Sequence, residues 1–300
     1  MGTKWIKYSA VCGYGCGAVL VLMVLGACGG GSGTKAAEGI PVVVPFPPQA
    51  YFVERIGGSH VTVSILVETA GCAETYQVTP KQMDGLSRAR MYFRVGMPFE
   101  ETLLPKIHEA CPGLEIVDLR EGSTQGVTGA DSPDGHPHES GDPHVWLDPL
   151  RVVEQAGIIA GALSRADAAH RDDYVKNAVV FSQEVKALHE RIRTRMEPFR
   201  GKTFYVYHPA FGYFAERYGL KQVAIEREGK APGQRYLEEV IAAIKRDGAK
   251  VVYVAPQSAE PSLKAIAEAT GVQLVALDPL NREYCANLET MADAIAKGFS

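Results

Sequence analysis

From Ile40 onward, short runs rich in β-branched and aromatic residues alternate with stretches whose apolar positions recur every three or four residues. Residues 42–46, 61–67, 91–95 and 115–119 read as strands, and residues 48–56, 79–87 and 98–109 as the helices between them. The strand runs are nearly continuous in apolar residues, the pattern of parallel strands covered by helices on both faces. The alternation then returns near the C-terminus. Residues 203–207, 222–225, 251–254 and 273–277 predict strands, and residues 209–218, 235–246, 261–269 and 284–299 predict helices.

Two stretches interrupt the alternation. Residues 120–143 are dominated by Gly, Ser, Asp, Pro and His, with no period, and read as a surface loop or insertion. Asp148 then caps a helix opened by Pro149 and running to about Ser164. Beyond it Tyr174, Ala178, Phe181, Val185, Leu188, Ile192 and Met196 recur at spacings of four and three. That stripe predicts one helix over residues 168–197, closed by Pro198 and ~45 Å long at ~1.5 Å per residue. A coiled-coil dimer would show a similar stripe, but four heptads between two α/β patterns fit a backbone helix better. The fold expected is α/β: two lobes, each a mainly parallel four-stranded sheet with flanking helices, joined by one long helix. Residues 40–167, carrying the loop 120–143, form the first lobe, residues 168–198 the bridge, and residues 199–300 the second lobe.

The N-terminus has a different purpose. Lys4 and Lys7 precede a ten-residue apolar run, 18–27, too short to span a bilayer. It ends in Leu25-Gly26-Ala27-Cys28, which looks like a bacterial lipobox; an ordinary signal peptide with an incidental Cys is the plainer alternative. Residues 1–27 are therefore expected to be a lipoprotein signal peptide, with Cys28 the lipidated residue. Residues 28–39, opening on Cys28 and Gly29-Gly30-Gly31-Ser32-Gly33, would be a flexible tether. Loss of 1–27 removes two lysines and no acid, taking the formal net charge from −4 to −6. Charges of both signs are interspersed with no basic block, so nothing points to nucleic acid. An oxidising compartment would hold Cys72, Cys111 and Cys285, an odd number. Cys72 and Cys285 are the pair that could approach across a cleft.

In parallel α/β sheets, ligands bind beyond the carboxyl ends of the strands. Four metal-competent side chains fall there. His208 follows strand 203–207 and Asp278 follows strand 273–277, each before a proline. Glu74 lies in the loop after strand 61–67, within Gly71-Cys72-Ala73-Glu74-Thr75-Tyr76. His144 follows the irregular loop, in Asp142-Pro143-His144-Val145-Trp146-Leu147-Asp148-Pro149. Taken singly, each reads as a turn, cap or core residue; together, two from each lobe, they could surround one ion. Two neutral imidazoles and two carboxylates offset a dication and suit four-coordinate Zn²⁺, while the carboxylates also suit harder ions such as Mn²⁺.

At these positions the chain resembles the zinc- and manganese-binding solute receptors of ABC transporters, whose lobes are bridged by a rigid helix. The resemblance rests on residues 71–80 with Lys81-Gln82-Met83 after them, and on 142–149, 207–218, 225–232 and 277–280, in order along the chain. It implies His144, His208 and Asp278 as ligands. The first ligand departs from the family: a Pro-His-x-Tyr-x-Pro-x-Pro stretch is replaced by Ala73-Glu74-Thr75-Tyr76-Gln77-Val78-Thr79-Pro80, so Glu74 stands where His is usual. Either Glu74 ligates and raises tolerance for Mn²⁺ or Fe²⁺, or three residues bind weakly. His136 and His138 resemble a shortened form of the family's His-rich loop, an auxiliary capture site for metal or a plain solvated loop. Glu226 follows a strand and could reach the cleft, but the pattern gives it a structural part, bracing the turn at 229–232. His60, His108, His170 and His189 read as packing or solvent-facing residues.

The resemblance implies a monomer, lipid-anchored outside the cytoplasm of a bacterium, that binds zinc and hands it to an ABC permease and, through it, its ATPase. Manganese or iron is the alternative cargo, and a surface adhesin is compatible with the same fold. A metallohydrolase using three ligands, a water and Glu74 as base is less favoured, because four protein ligands leave no open position. The chain also has no His-Glu-x-x-His helix, Gly-x-Ser-x-Gly elbow or phosphate loop. Deletion of residues 130–140 is expected to leave the main zinc affinity intact; a large loss in a zinc titration would refute a merely auxiliary part for His136 and His138.

Overall fold

The computed structural model describes residues 39–68, 76–121, 142–227, 229–256, 258 and 260–300. The proposed signal peptide, the tether up to residue 38, Cys28, Cys72, Glu74, His136 and His138 lie outside the described residues.

The first half runs β1 (Ile40–Val44), α1 (Pro47–Gly57), β2 (Val61–Ile65), α2 (Pro80–Arg88), β3 (Met91–Arg94), α3 (Pro98–Ala110) and β4 (Glu115–Asp118). After a 3-10 turn at Val145–Leu147 come α4 (Pro149–Ala166) and α5 (Arg171–Met196). The second half runs β5 (Thr203–Val206), α6 (Gly212–Tyr218), β6 (Lys221–Ala224), α7 (Gln234–Asp247), β7 (Val251–Val254), α8 (Pro261–Thr270), β8 (Gln273–Ala276) and α9 (Tyr284–Phe299). The strands form two four-stranded sheets, in the orders β2-β1-β3-β4 and β6-β5-β7-β8. Every pairing in both is parallel. The two halves thus share one topology, and in each the first strand sits at the switch point where ligand crevices open.

Helix starts follow the sequence chemistry. Asp148 caps α4, its carboxylate accepting from the Leu150 amide at 2.9 Å. Thr79 and Gln82 make a reciprocal capping box at α2, and proline opens α1, α2, α3, α4 and α8. One expectation needs correcting at the sheet edges. The central strands are buried, but β2 buries alternate residues at most partly and β8 is largely exposed. An outer strand has a neighbour on one side only, and helices cover it incompletely.

The core explains why residues 39–300 hold together. A single apolar cluster passes from Val44 and Phe52 in the first half through Ile159 of α4 and Phe181 and Leu188 of α5 to Phe204, Tyr284 and Ile295 in the second. A smaller cluster, including Tyr205, Ile225, Val240 and Val252, lies on the other face of the second sheet. Alternation along β5 feeds both: Phe204 and Val206 point into the first, Tyr205 and Tyr207 into the second.

Helix α5 lies at the centre of the large cluster. Its seven-residue stripe from Tyr174 to Met196 is buried within this chain, so the apolar face meets α4, α1 and α9 rather than a coiled-coil partner. Polar pins reinforce the packing. Arg55 of α1 pairs with Glu184 at 2.7 Å, and Arg191 and Arg195 reach Glu289 and Asp293 of α9 at 2.9 and 2.8 Å. These pairs are solvent-exposed and each contributes ~0–1 kcal/mol, so burial of the stripe dominates. Phe181, fully buried and packed against Tyr51 and Phe52, gives the direct test. Phe181→Ala should cost about 3–5 kcal/mol in urea unfolding, with one transition reported alike by far-UV circular dichroism and by Trp146 fluorescence. Two separated transitions would contradict a core shared by both halves.

Candidate metal centre

Both sequence-predicted histidine ligands on described residues converge on one point. His208 follows β5 closely, and the ladder between β5 and β6 continues past that strand: the Ile225 and Glu226 amides donate to the Val206 and Tyr207 carbonyls, each at 2.9 Å. This register sets the Glu226 carboxylate against His208, with Oε1 3.0 Å from ring Nδ1. Glu226 therefore contacts a predicted ligand, in keeping with a position from which it could reach the cleft. Its contact with His208 depends on strand register, which no local motif reveals.

His144 is held the same way by a different device. Asp142 Oδ1 accepts from the His144 backbone amide at 2.8 Å and lies 2.8 Å from its ring Nδ1. Pro143 between them favours this tight turn. Each imidazole thus faces a carboxylate through Nδ1, a contact that favours the tautomer with its proton there and its Nε2 lone pair toward the other ring.

The two Nε2 atoms face one another at 3.3 Å, with the rings inclined at 80°. Opposed lone pairs repel unless a cation lies between or beside them, either a proton or a metal ion. For tetrahedral zinc with Zn–N bonds of about 2.0–2.1 Å, two ligand nitrogens are ~3.3–3.4 Å apart. The observed separation matches that edge.

Asp278 stands at the carboxyl end of β8, on the same rim. Its carboxylate accepts from the Leu280 amide at 3.0 Å and its carbonyl from Asn287 Nδ2 at 2.8 Å. Among the described residues no third His, Cys, Asp or Glu completes a metal-holding group with the two histidines. The Asp278 loop is nonetheless tied to the His144 segment: the indole N–H of Trp146 donates to the Pro279 carbonyl at 2.8 Å, and Tyr284 donates to the Trp146 carbonyl at 2.9 Å. Tyr284 is wholly buried, which pushes its phenol well above the usual range. The stems of the loop that carries Glu74 are also joined. Gln82 Nε2 donates to the Leu66 carbonyl at 2.6 Å and to the Tyr76 hydroxyl at 2.7 Å.

A further clamp was not foreseen. Arg217 of α6 grips both oxygens of Asp148 at 2.8 and 2.6 Å, and this hydrogen bonding raises its already high pKa. The pair locks the helix after His144 to the helix after His208. No local spacing betrays it, since the partners are 69 residues apart.

Other histidines are engaged elsewhere. His60 and His170 stack on each other with centroids 3.9 Å apart, beside Asp173 and Asp167 respectively, and His189 stacks on Tyr218. Cys285 carries a thiol against Tyr51 and Cys111 is free and buried; the other half of the suggested Cys72–Cys285 pair lies outside the described residues.

Comparisons with known proteins bear on the family and the fold. Residues 42–298 match the family model described as zinc-uptake complex component A, periplasmic. The high-affinity zinc uptake system protein ZnuA of Brucella abortus (strain 2308) is 28% identical over 301 residues, spanning 86% of this chain and 88% of its own. The zinc-binding lipoprotein AdcA of Streptococcus pneumoniae serotype 4 is 26% identical, spanning 88% of this chain but 54% of its own. Among solved structures, a crystal structure of ZnuA superposes with TM-score 0.80 and 33% identity, covering 87% of this chain and all of that one. A mutant of the laminin-binding adhesin Lmb of Streptococcus agalactiae superposes with TM-score 0.76 at 25% identity over 87% of this chain and all of that one. With residues 42–298 matched in one continuous stretch, the chain belongs to the family of periplasmic component A proteins of zinc-uptake complexes.

Proposed function

We propose that this protein captures a divalent metal ion, zinc foremost, outside the cytoplasm and delivers it to the permease of an ABC importer, which its ATPase drives. The observation that carries the reading is the pair of opposed imidazoles, one on each side of the bridging helix in sequence, 3.3 Å apart and each backed by a carboxylate. Zinc is cargo here, not a resident catalyst. His144 and His208 supply two neutral donors, Asp278 an anionic one, and Glu74 the fourth, from the loop whose stems Gln82 joins. Four donors carrying two negative charges neutralise a dication and leave no vacant position for an activated water, which favours carriage over hydrolysis. Diacylated Cys28 and the glycine-rich stretch after it would hold a monomer at the membrane, within reach of its permease.

Glu74 in place of His favours a secondary reading on cargo alone: an added carboxylate hardens the site and widens its tolerance to Mn²⁺ or Fe²⁺. Competition of Zn²⁺ with Mn²⁺ on metal-stripped protein, with bound metal counted by elemental analysis, tests both. One zinc held against excess manganese is expected, and comparable retention of manganese would shift the assignment. Glu74→Ala should weaken zinc binding, and an unchanged affinity would remove Glu74 from the ligand set.

The carboxylates behind the imidazoles generate a separate expectation. Asp142→Asn and Glu226→Gln should each lower zinc affinity about 10–100-fold, read by titration of Trp146 fluorescence. Thermal unfolding of the metal-free variants should stay close to that of the parent. Unaltered zinc affinity in both would mean that the imidazoles are not the metal donors.

A further inference from the structure

We propose that the groove between α4 and α5 is a docking site for an acidic amphipathic helix of a partner protein. The two helices are joined by a short turn at Ala168–His170 and form an antiparallel hairpin. Between them runs a groove of about 640 Å³.

Four features point to a helical occupant. Val175 and Val179 line the groove at 47% and 51% exposure. With Val180 they are three of the four large apolar residues exposed among the described residues. The lining also repeats at helical spacing: Val153, Gly157 and Gly161 on α4, then Arg171, Val175 and Val179 on α5. Two parallel ridges of this kind present the surface into which a third helix packs.

The glycines have no internal reason to be there. A Cβ at Gly157 would meet nothing within 4 Å, and one at Gly161 only the Arg165 guanidinium, at 3.7 Å. Glycine inside a helix is destabilising relative to alanine. Two of them one turn apart, facing open space, keep the groove deep enough for close approach of another backbone.

The charged groups of the lining are all cationic: Arg165, Arg171 and Lys186. Arg165 also reaches Glu115 at 3.1 Å, which leaves Arg171 and Lys186 as the cations most available to an occupant. Arg165 and Arg171 stand near the turn and Lys186 near the far end, so an occupant needs carboxylates at both ends of an apolar strip. The lined stretch of α5, 171–186, is ~22 Å long, the span of a helix of about four turns.

Other occupants fit less well. A two-fold related copy of this chain would set the same cations against one another. The stretch 28–38 of this chain carries one cation, Lys35, and one acid, Glu38, with no apolar stripe. A bilayer is flat and would leave the groove unfilled.

The probe is a fluorescein-labelled, end-capped 15-residue helix with Leu at heptad a and d positions and Glu on its flanks, compared by anisotropy with its Lys-flanked twin. The acidic peptide should bind one-to-one, at least about ten-fold tighter than the basic one, and weaken as salt rises. Gly157→Leu, which fills the groove, and Val179→Asp should each weaken binding at least about ten-fold, with circular dichroism and zinc titration unchanged. Equal binding of the two peptides, or indifference to Gly157→Leu, would overturn the proposal. So would self-association that Gly157→Leu abolishes, or binding to phosphatidylglycerol vesicles without binding of the acidic peptide. The first of these would assign the groove to a second copy, the second to a membrane.

Discussion

Two imidazole nitrogens from segments far apart in the chain must face each other with a tolerance of a few tenths of an ångström, and much of the molecule serves that requirement. His144 and His208 belong to segments separated by the whole of α4 and α5. Their 3.3 Å separation survives only if the halves cannot drift. A flexible linker would let them, because each rotatable residue multiplies positional error. Here the linker is a helix whose buried stripe is part of the core of both halves. Interiors are packed like crystals, so displacing one half means breaking dense contacts rather than stretching them. The long helix is therefore the spacer that makes a two-residue contact across the molecule possible.

Rigidity at that scale still leaves the ligands to be aimed, and this falls to the short stretch from Asp142 to Asp148. Alternate residues take separate tasks. Asp142 orients the ring of His144, Trp146 bonds the Pro279 carbonyl beside Asp278, and Asp148 holds Arg217 on the helix after His208. The residues between are no less constrained, since Val145 and Leu147 are buried and the prolines at 143 and 149 set the turns at either end. The stretch acts as a strap linking the segments that carry His144, His208 and Asp278. Asp148 is buried but Arg217 reaches solvent, so their ion pair contributes modestly to stability. Its value lies in direction: a bidentate guanidinium–carboxylate contact fixes relative orientation in a plane, which apolar packing does not.

What was legible in the sequence follows from the range of each interaction. The bridging helix was readable to within three residues at either end because its stripe is local and long, from Tyr174 to Met196. So were the cap at Asp148-Pro149 and the placement of His208 at a strand end, since both depend on neighbours in sequence. The contact of Glu226 with His208 was not legible, because the two meet across a strand pair, 18 residues apart. Arg217 and Trp146 were not singled out because their partners are 69 and 133 residues off. The exposed stripe of Val175 and Val179 escaped notice for a different reason: on a helix already given a buried face, extra valines read as noise until the structure shows them lining a groove.

The proposed cargo also bears on why the halves are held so firmly. Among first-row dications, Zn²⁺ outbinds Mn²⁺ at almost any nitrogen and oxygen site, so donor type alone cannot favour the weaker ion. Selectivity has to come from geometry that the protein refuses to relax. Two imidazoles backed by Asp142 and Glu226 at a separation matching a tetrahedral edge would resist the wider spread that a larger ion with more ligands demands. In the proposed site a carboxylate at position 74 would act the other way, since a carboxylate can bind through one oxygen or two and so accommodate a change in coordination number. In this reading the rigid half of the site discriminates and the adaptable half tolerates, and the balance between them decides how strictly the protein selects zinc.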